Sequence, residues 1–185
     1  MGADIHVCVE QMVDGVGWER AESPVPNRWY GFSDSDEEPE FVYDDWFSSR
    51  NYSLFAMLAD VRNGYGFAGV DIGDQVEPIS KPRGIPDDAS ASTKKEVDWW
   101  GCDGHSHTWF SAGDLVAVPW ETNTITHRGV VIGRGEDTTG VYTRVEWETS
   151  WAEAVGSDWL AFVVRLAGLN PQDLSASRAV MWFDN

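Results

Sequence analysis

Asp4-Ile5-His6-Val7-Cys8-Val9-Glu10, continued by Gln11-Met12, alternates polar and apolar residues with a period of two. Such alternation describes a β-strand with one polar and one buried face. Asp14-Gly15 then supplies a hairpin turn, and Trp18-Glu19-Arg20-Ala21 returns as the partner strand. At the other end of the chain, Arg178-Ala179-Val180-Met181-Trp182-Phe183-Asp184-Asn185 has the β-branched and aromatic content of a central strand. Both segments are expected in one sheet. That expectation sets the fold, because everything between them must cover or extend the sheet.

Asp103-Gly104-His105-Ser106-His107 repeats the Asp-x-His spacing of Asp4-x-His6. If the run is extended, residues 103, 105 and 107 share one side of a strand, while Ser106 and Thr108 face the other. Two polar strand faces of this kind define the candidate site: Asp4, His6, Asp103 and His105 as catalytic groups, joined by His107 as ligands of a divalent metal. Histidine suits either role near neutral pH, and a carboxylate can fix its tautomer. The four residues Asp4, His6, Asp103 and His105 are expected to meet in one cleft.

The intervening chain alternates helices with hairpins and loops. Leu54, Phe55, Met57, Leu58 and Val61 make an apolar stripe from Asn51 to Asn63, with Gly64 as the stop. Pro24 and Pro26 end regular structure, and the acidic run from Ser33 to Asp45 reads as a solvated loop. It lacks the Gly and terminal Glu of an EF-hand calcium loop. Residues 64–90 form a long Gly/Pro/Asp-rich excursion. Thr93-x-x-Glu96 caps a short helix ended by Gly101, Ser111-x-x-Asp114 caps another, and residues 125–133 and 141–148 pair as a hairpin across 134–140. His127 falls in its first strand as a surface or packing residue. Ser150-x-x-Glu153 opens the last helix, which Gly156 can bend or split. The pattern predicts a single-domain α+β fold, with a mainly antiparallel or mixed sheet, two main helices and long Gly/Pro/Asp-rich loops.

The chain has 185 residues, 42% hydrophobic, including eleven Trp, enough to bury a core without metal or disulfide support. Its 31 acids against 13 bases give a formal charge of −18, which repels phosphate backbones and argues against nonspecific DNA or RNA binding. The same surface can mimic nucleic acid or maintain solubility. No run approaches eighteen apolar residues and no basic-then-apolar leader is present, so a cytoplasmic protein without a membrane span is expected, with Cys8 and Cys102 as reduced thiols.

Met1-Gly2-Ala3-Asp4-Ile5-His6 resembles the opening of a family of uncharacterised phage and bacterial proteins that begin Met-Gly-x-Asp-Ile-His. The likeness continues through Arg50-Asn51-Tyr52-x-Leu54-Phe55, Leu58-Ala59-x-Val61-Arg62-Asn63, Arg83-Gly84-Ile85-Pro86-Asp87-Asp88, Asp103-x-His105-Ser106 and Phe183-Asp184-Asn185. The resemblance implies a phage or prophage accessory protein, in the host cytoplasm if phage-encoded, but carries no activity with it.

Three functions compete. One is a metal- or histidine-dependent hydrolase, for instance a phosphoesterase, acting on a small anionic or nucleotide ligand, even one used in host defence signalling. Arg62, Asn63, Arg83, Asp87 and Ser106 would then hold the ligand. Another is a non-catalytic binder that sequesters a nucleotide signal, with tryptophans stacking on bases. The third is an acidic DNA mimic or interaction protein whose histidines serve only internal hydrogen bonds. Oligomeric state is open.

Overall fold

The computed structural model describes residues 2–31, 39–133 and 141–184. The alternating N-terminal segment forms strand β1 (Asp4–Val13), which turns through Asp14–Val16 into β2 (Gly17–Arg20). Gly15 and Gly17 carry the positive φ values that this tight turn requires. Next comes a small ribbon, β3 (Pro24–Pro26) with β4 (Phe41–Tyr43). The two prolines do not end pairing as expected, because they flank Val25 on a short isolated ribbon, where a missing N–H is tolerated. Of the acidic run, residues 33–38 lie outside the described residues, while Glu40, Asp44 and Asp45 are exposed.

Helix α1 (Tyr52–Ala59) starts where Asn51 accepts the Leu54 N–H, and it stops a turn before Gly64. Asp60 takes left-handed backbone angles and its N–H donates back to the Ala56 and Phe55 carbonyls, so Asp60 is the cap. Helix α2 (Ala91–Trp100) is capped by Ser90, which accepts from Thr93 N–H, so the cap falls three residues before the Thr93 expected; Thr93 itself is buried. Strand β5 (His105–Ser111) leads into α3 (Ala112–Val116) through a Ser111/Asp114 capping box. The hairpin of β6 (Thr124–Gly133) and β7 (Val141–Ser150) is as expected, and its turn lies outside the described residues. Gly156, at φ +83°, splits the last helical stretch into α4 (Trp151–Val155) and α5 (Ser157–Leu169). Strand β8 (Ser177–Asp184) completes the chain of elements. Three helices, α1, α2 and α5, exceed seven residues: the two main ones expected and the short one ended by Gly101.

The fold is α+β, with antiparallel sheets. The main sheet runs β2-β1-β8-β5, so the terminal strand is central and pairs directly with the first, from Asp4↔Asp184 to Gln11↔Ser177. One sheet face, through Ile5, Val9, Ala179, Met181 and Phe183, packs under α1, α3, α4 and α5 with Phe55, Leu115, Trp159 and Phe162. The other face of β1 was expected to be polar. Instead Cys8, Val180 and Trp182 are buried there beneath Ile85, Val97, Trp100 and Trp109, from α2, β5 and the loop preceding α2. That loop is strapped down by Gly84 N–H to the His107 carbonyl (2.9 Å) and Ser90 N–H to Glu10 (2.8 Å). Full burial of a side chain such as Met181 or Phe183 stabilises the fold by about 1.5–3 kcal/mol. Among the described residues no helix is long and apolar enough to cross a membrane, and both cysteines are unbridged.

Candidate functional site

At the end of the sheet where β1 begins and β8 finishes, His6 faces its ladder partner Trp182. Its ring stacks on that indole with centroids 5.6 Å apart and meets Trp100 from α2 at 4.0 Å. Its Nε2 lies 3.4 Å from Oδ2 of Asp184. The carboxylate near the His6 ring is therefore Asp184, within ion-pair range but not hydrogen-bonded to it, while Asp4 is engaged elsewhere. Asp4 instead makes a bidentate pair with Arg50, whose Nε donates to Oδ1 at 2.7 Å, and that bonding holds the Asp4 carboxyl below its ordinary range. The Asp4 N–H donates to Asp184 Oδ1 at 3.0 Å, linking the two acids.

The second histidine pair divides across the sheet. His105 lies opposite Phe183, but Thr108 lies opposite Met181, so one extra residue intrudes between them. Ser106 absorbs it with φ +52°, a β-bulge made by a non-glycine residue. The consequence is that residues 103, 105 and 107 do not share a face. His105 sides with Phe183 (ring centroids 6.4 Å), while His107 stacks on Trp182 (6.4 Å, 24°). Because β8 runs between β1 and β5, the Trp182 indole stands between the His6 and His107 imidazoles. Gly104 makes the close fit possible, since a Cβ there would sit 3.2 Å from Trp182 and 3.3 Å from Trp100. Burial lowers the His107 pKa, with nearby His105 adding to the effect. Nε2 of His6, Nε2 of His107 and Nε1 of Trp182 are all buried without a hydrogen-bond partner among the described residues.

The expected common cleft of Asp4, His6, Asp103 and His105 is therefore not assembled. His6 and His105 occupy opposite faces, and Asp103 is exposed in the turn between α2 and β5, its N–H donating to the Trp100 carbonyl. Nor does the donor set Asp4, His6, Asp103, His105 and His107 suit a metal: among the described residues, no three His, Cys, Asp or Glu are placed to hold one. Ser106 is turned to its neighbour, with Oγ 3.0 Å from His105 Nδ1.

The expected ligand-binding residues are spread as well. Asn63 is a buried clamp whose amide donates to Asp60 and to the Val76 carbonyl and accepts the Val76 N–H. Arg62 stands over Tyr52 and lines a narrow cleft with Ser53, Gly73, Thr126 and His127. Arg83 pairs with Asp114 of α3 at 2.7 Å and lies over Trp109 and Phe110 of β5, contacts that tie its loop to both elements. Asp87 is exposed, and its carbonyl accepts from Lys94. His127 is a packing residue, stacked on Trp147 and bonded to Thr149, with its pKa lowered by burial.

Asp184, Trp182, Trp100 and Arg50 were missed as site residues. The alternation of β1 and β8 could have found Asp184 and Trp182, since antiparallel pairing of two terminal strands places both beside Asp4 and His6. Arg50 heads the Arg50-Asn51-Tyr52-x-Leu54-Phe55 motif, but nothing in that motif signals its pairing with Asp4. Comparison with known proteins finds no family model, no curated protein and no solved structure that matches the chain.

Proposed function

We propose that the protein acts by binding, as an acidic interaction protein that engages a partner with a basic protein surface, in keeping with an accessory role. The carrying observation is an exposed patch on and beside the β3–β4 ribbon, where Trp29, Tyr30, Phe41, Val42 and Tyr43 are all solvent-exposed next to Glu40, Asp44 and Asp45. Aromatic side chains supply contact area at low entropic cost, and the flanking acids supply complementarity to lysine and arginine. The rest of the charge supports this reading. Arg20, Arg50, Arg83, Arg128 and Arg178 are all taken up by internal ion pairs, so the acid surplus is left on the outside. A basic DNA-binding protein is one such partner, which makes nucleic-acid mimicry a special case.

Calorimetric titration with an arginine-rich peptide tests the proposal. Replacing Asp34, Asp36, Glu37, Glu38, Glu40, Asp44 and Asp45 by their amides should weaken binding at least about tenfold, and raising salt from about 50 to 200 mM should do the same to the parent protein. His6→Ala and His105→Ala should bind as the parent does. Loss of binding on the histidine changes alone would transfer the function to the other end of the molecule.

One observation favours hydrolysis as a second reading. Ser106 sits in left-handed backbone with its hydroxyl on His105, and strained backbone of this kind is often kept where it serves chemistry. Turnover of a chromogenic ester or phosphoester that is lost in both Ser106→Ala and His105→Ala would establish it, and absence of turnover in the parent would end it.

A further inference from the structure

The two strands of the β6–β7 ribbon have different outer edges. Along β6 the segment 71–74 docks by backbone bonds, Arg128 N–H to the Ile72 carbonyl (2.6 Å) and Asp74 N–H to the Thr126 carbonyl (3.0 Å). Gly73 permits this approach, since a Cβ there would strike the Thr126 carbonyl. Among the described residues no segment pairs with the outer edge of β7. Tyr142, Thr143, Arg144, Glu146, Trp147 and Glu148 are all exposed, with Tyr142 at 71% and Trp147 at 47%. A long open edge of β-forming residues is a template for another strand.

We infer that this edge pairs antiparallel with β7 of a second copy of the chain, about a twofold axis at Val145. The charges fix the register. With Val145 opposite its own counterpart, Arg144 of each copy faces Glu146 of the other, and this happens twice across the axis. On the opposite face, Val145 and Trp147 of both copies line up as one apolar strip, with each Trp147 beside a Thr143. Moving the axis by one residue, to Glu146, would exchange the two Arg144–Glu146 pairs for two Arg144–Glu148 pairs but set Glu146 against itself on the axis, a like-charge contact that the Val145 register avoids. Within one chain Arg144 has no ion pair among the described residues, whereas Arg128 already holds Asp71 and Asp74 and does not depend on Glu146 alone. The twofold arrangement thus uses an arginine that has no ion pair among the described residues of its own chain. This association involves a different surface from the β3–β4 patch and does not rest on it.

Sedimentation velocity on the full chain at about 10–100 µM reads the outcome, with circular dichroism to confirm folding of each variant. The parent protein should sediment as a dimer. R144E and E146R should each weaken dimerisation at least about 100-fold, because each sets like charges opposite one another at two places. Mixed in equal amounts, the two variants should associate again, since complementary charges are restored across the axis. A monomeric parent over this range would overturn the inference, as would dimers insensitive to R144E or a mixture no tighter than its components.

Discussion

Glu10 and Arg178 at one end of the β1–β8 ladder, and Asp4, His6 and Asp184 at the other, come from the same chemical set and point to the same face of the same two strands. Their surroundings differ. Glu10 is 0% and Arg178 3% exposed; Arg178 donates to Glu10 and Asp88 (2.8 Å each), and Trp18 lies 3.8 Å from its guanidinium. The strap of residues before α2 seals that end, with Ser90 N–H completing Glu10. At the far end α2 has ended at Gly101, and Asp4, His6 and Asp184 keep partial contact with water. Polar residues on a strand thus become structural or available according to what covers them, which spacing along the strand does not reveal.

The difference can be broken most directly at the sealed end. Arg178→Met should cost about 3–5 kcal/mol in a urea melt, because it leaves Glu10 as a buried charge without its partner. Adding Glu10→Gln should recover part of that loss. A single-variant cost below ~1 kcal/mol would mean that the two ends are energetically alike.

Arg83→Ala lies between the extremes. Its pair with Asp114 is part-exposed, but it also covers two aromatic rings, so a loss of about 1 kcal/mol is expected. No change at all would return Arg83 to the group of side chains free to take an anion.

The third test uses pH. His107 has its pKa lowered in the folded state, so on acidification the unfolded chain takes up its proton first, near pH 6.5. Stability should therefore fall as pH drops from about 7 to about 5.5. His127 shifts in the same direction, so His107→Gln should reduce the slope and the His107→Gln/His127→Gln pair should flatten it. An unchanged slope in the double variant would show that neither ring is held neutral by the fold. The smallest effect belongs to the open end: Arg50→Ala should leave the melting midpoint unchanged within error, since exposed ion pairs contribute little.

Much of the fold was legible because it rests on short-range signals. The β1 alternation, the Ser111 and Ser150 capping boxes and the positive-φ Gly156 each act within a few residues, and each appears where expected. The site was less legible because three of its determinants are not local. The bulge at Ser106 inverted the facing of His105 relative to His107, and a single inserted residue suffices for that. Asp4 was assigned to His6 by proximity in sequence, whereas Arg50 captured it from 46 residues away. Asn63 and Arg83 look like ligand-binding groups by type, yet their partners Val76 and Asp114 come from segments that no periodicity connects to them.

The central place of β8 carries a consequence in time. Asp4 meets Asp184 across 180 residues of chain, so β1 acquires its inner neighbour only after nearly everything between has been synthesised. At roughly 5–20 residues per second that interval is on the order of ten to forty seconds. During it the β1–β2 hairpin has an unpaired inner backbone edge, with β8 not yet made, and an apolar face of Ile5, Val7 and Val9 that α5 does not yet cover. On the ribosome the nascent chain must therefore wait, incomplete, for its keystone to emerge. Its surplus of negative charge repels other copies in the same condition through that wait.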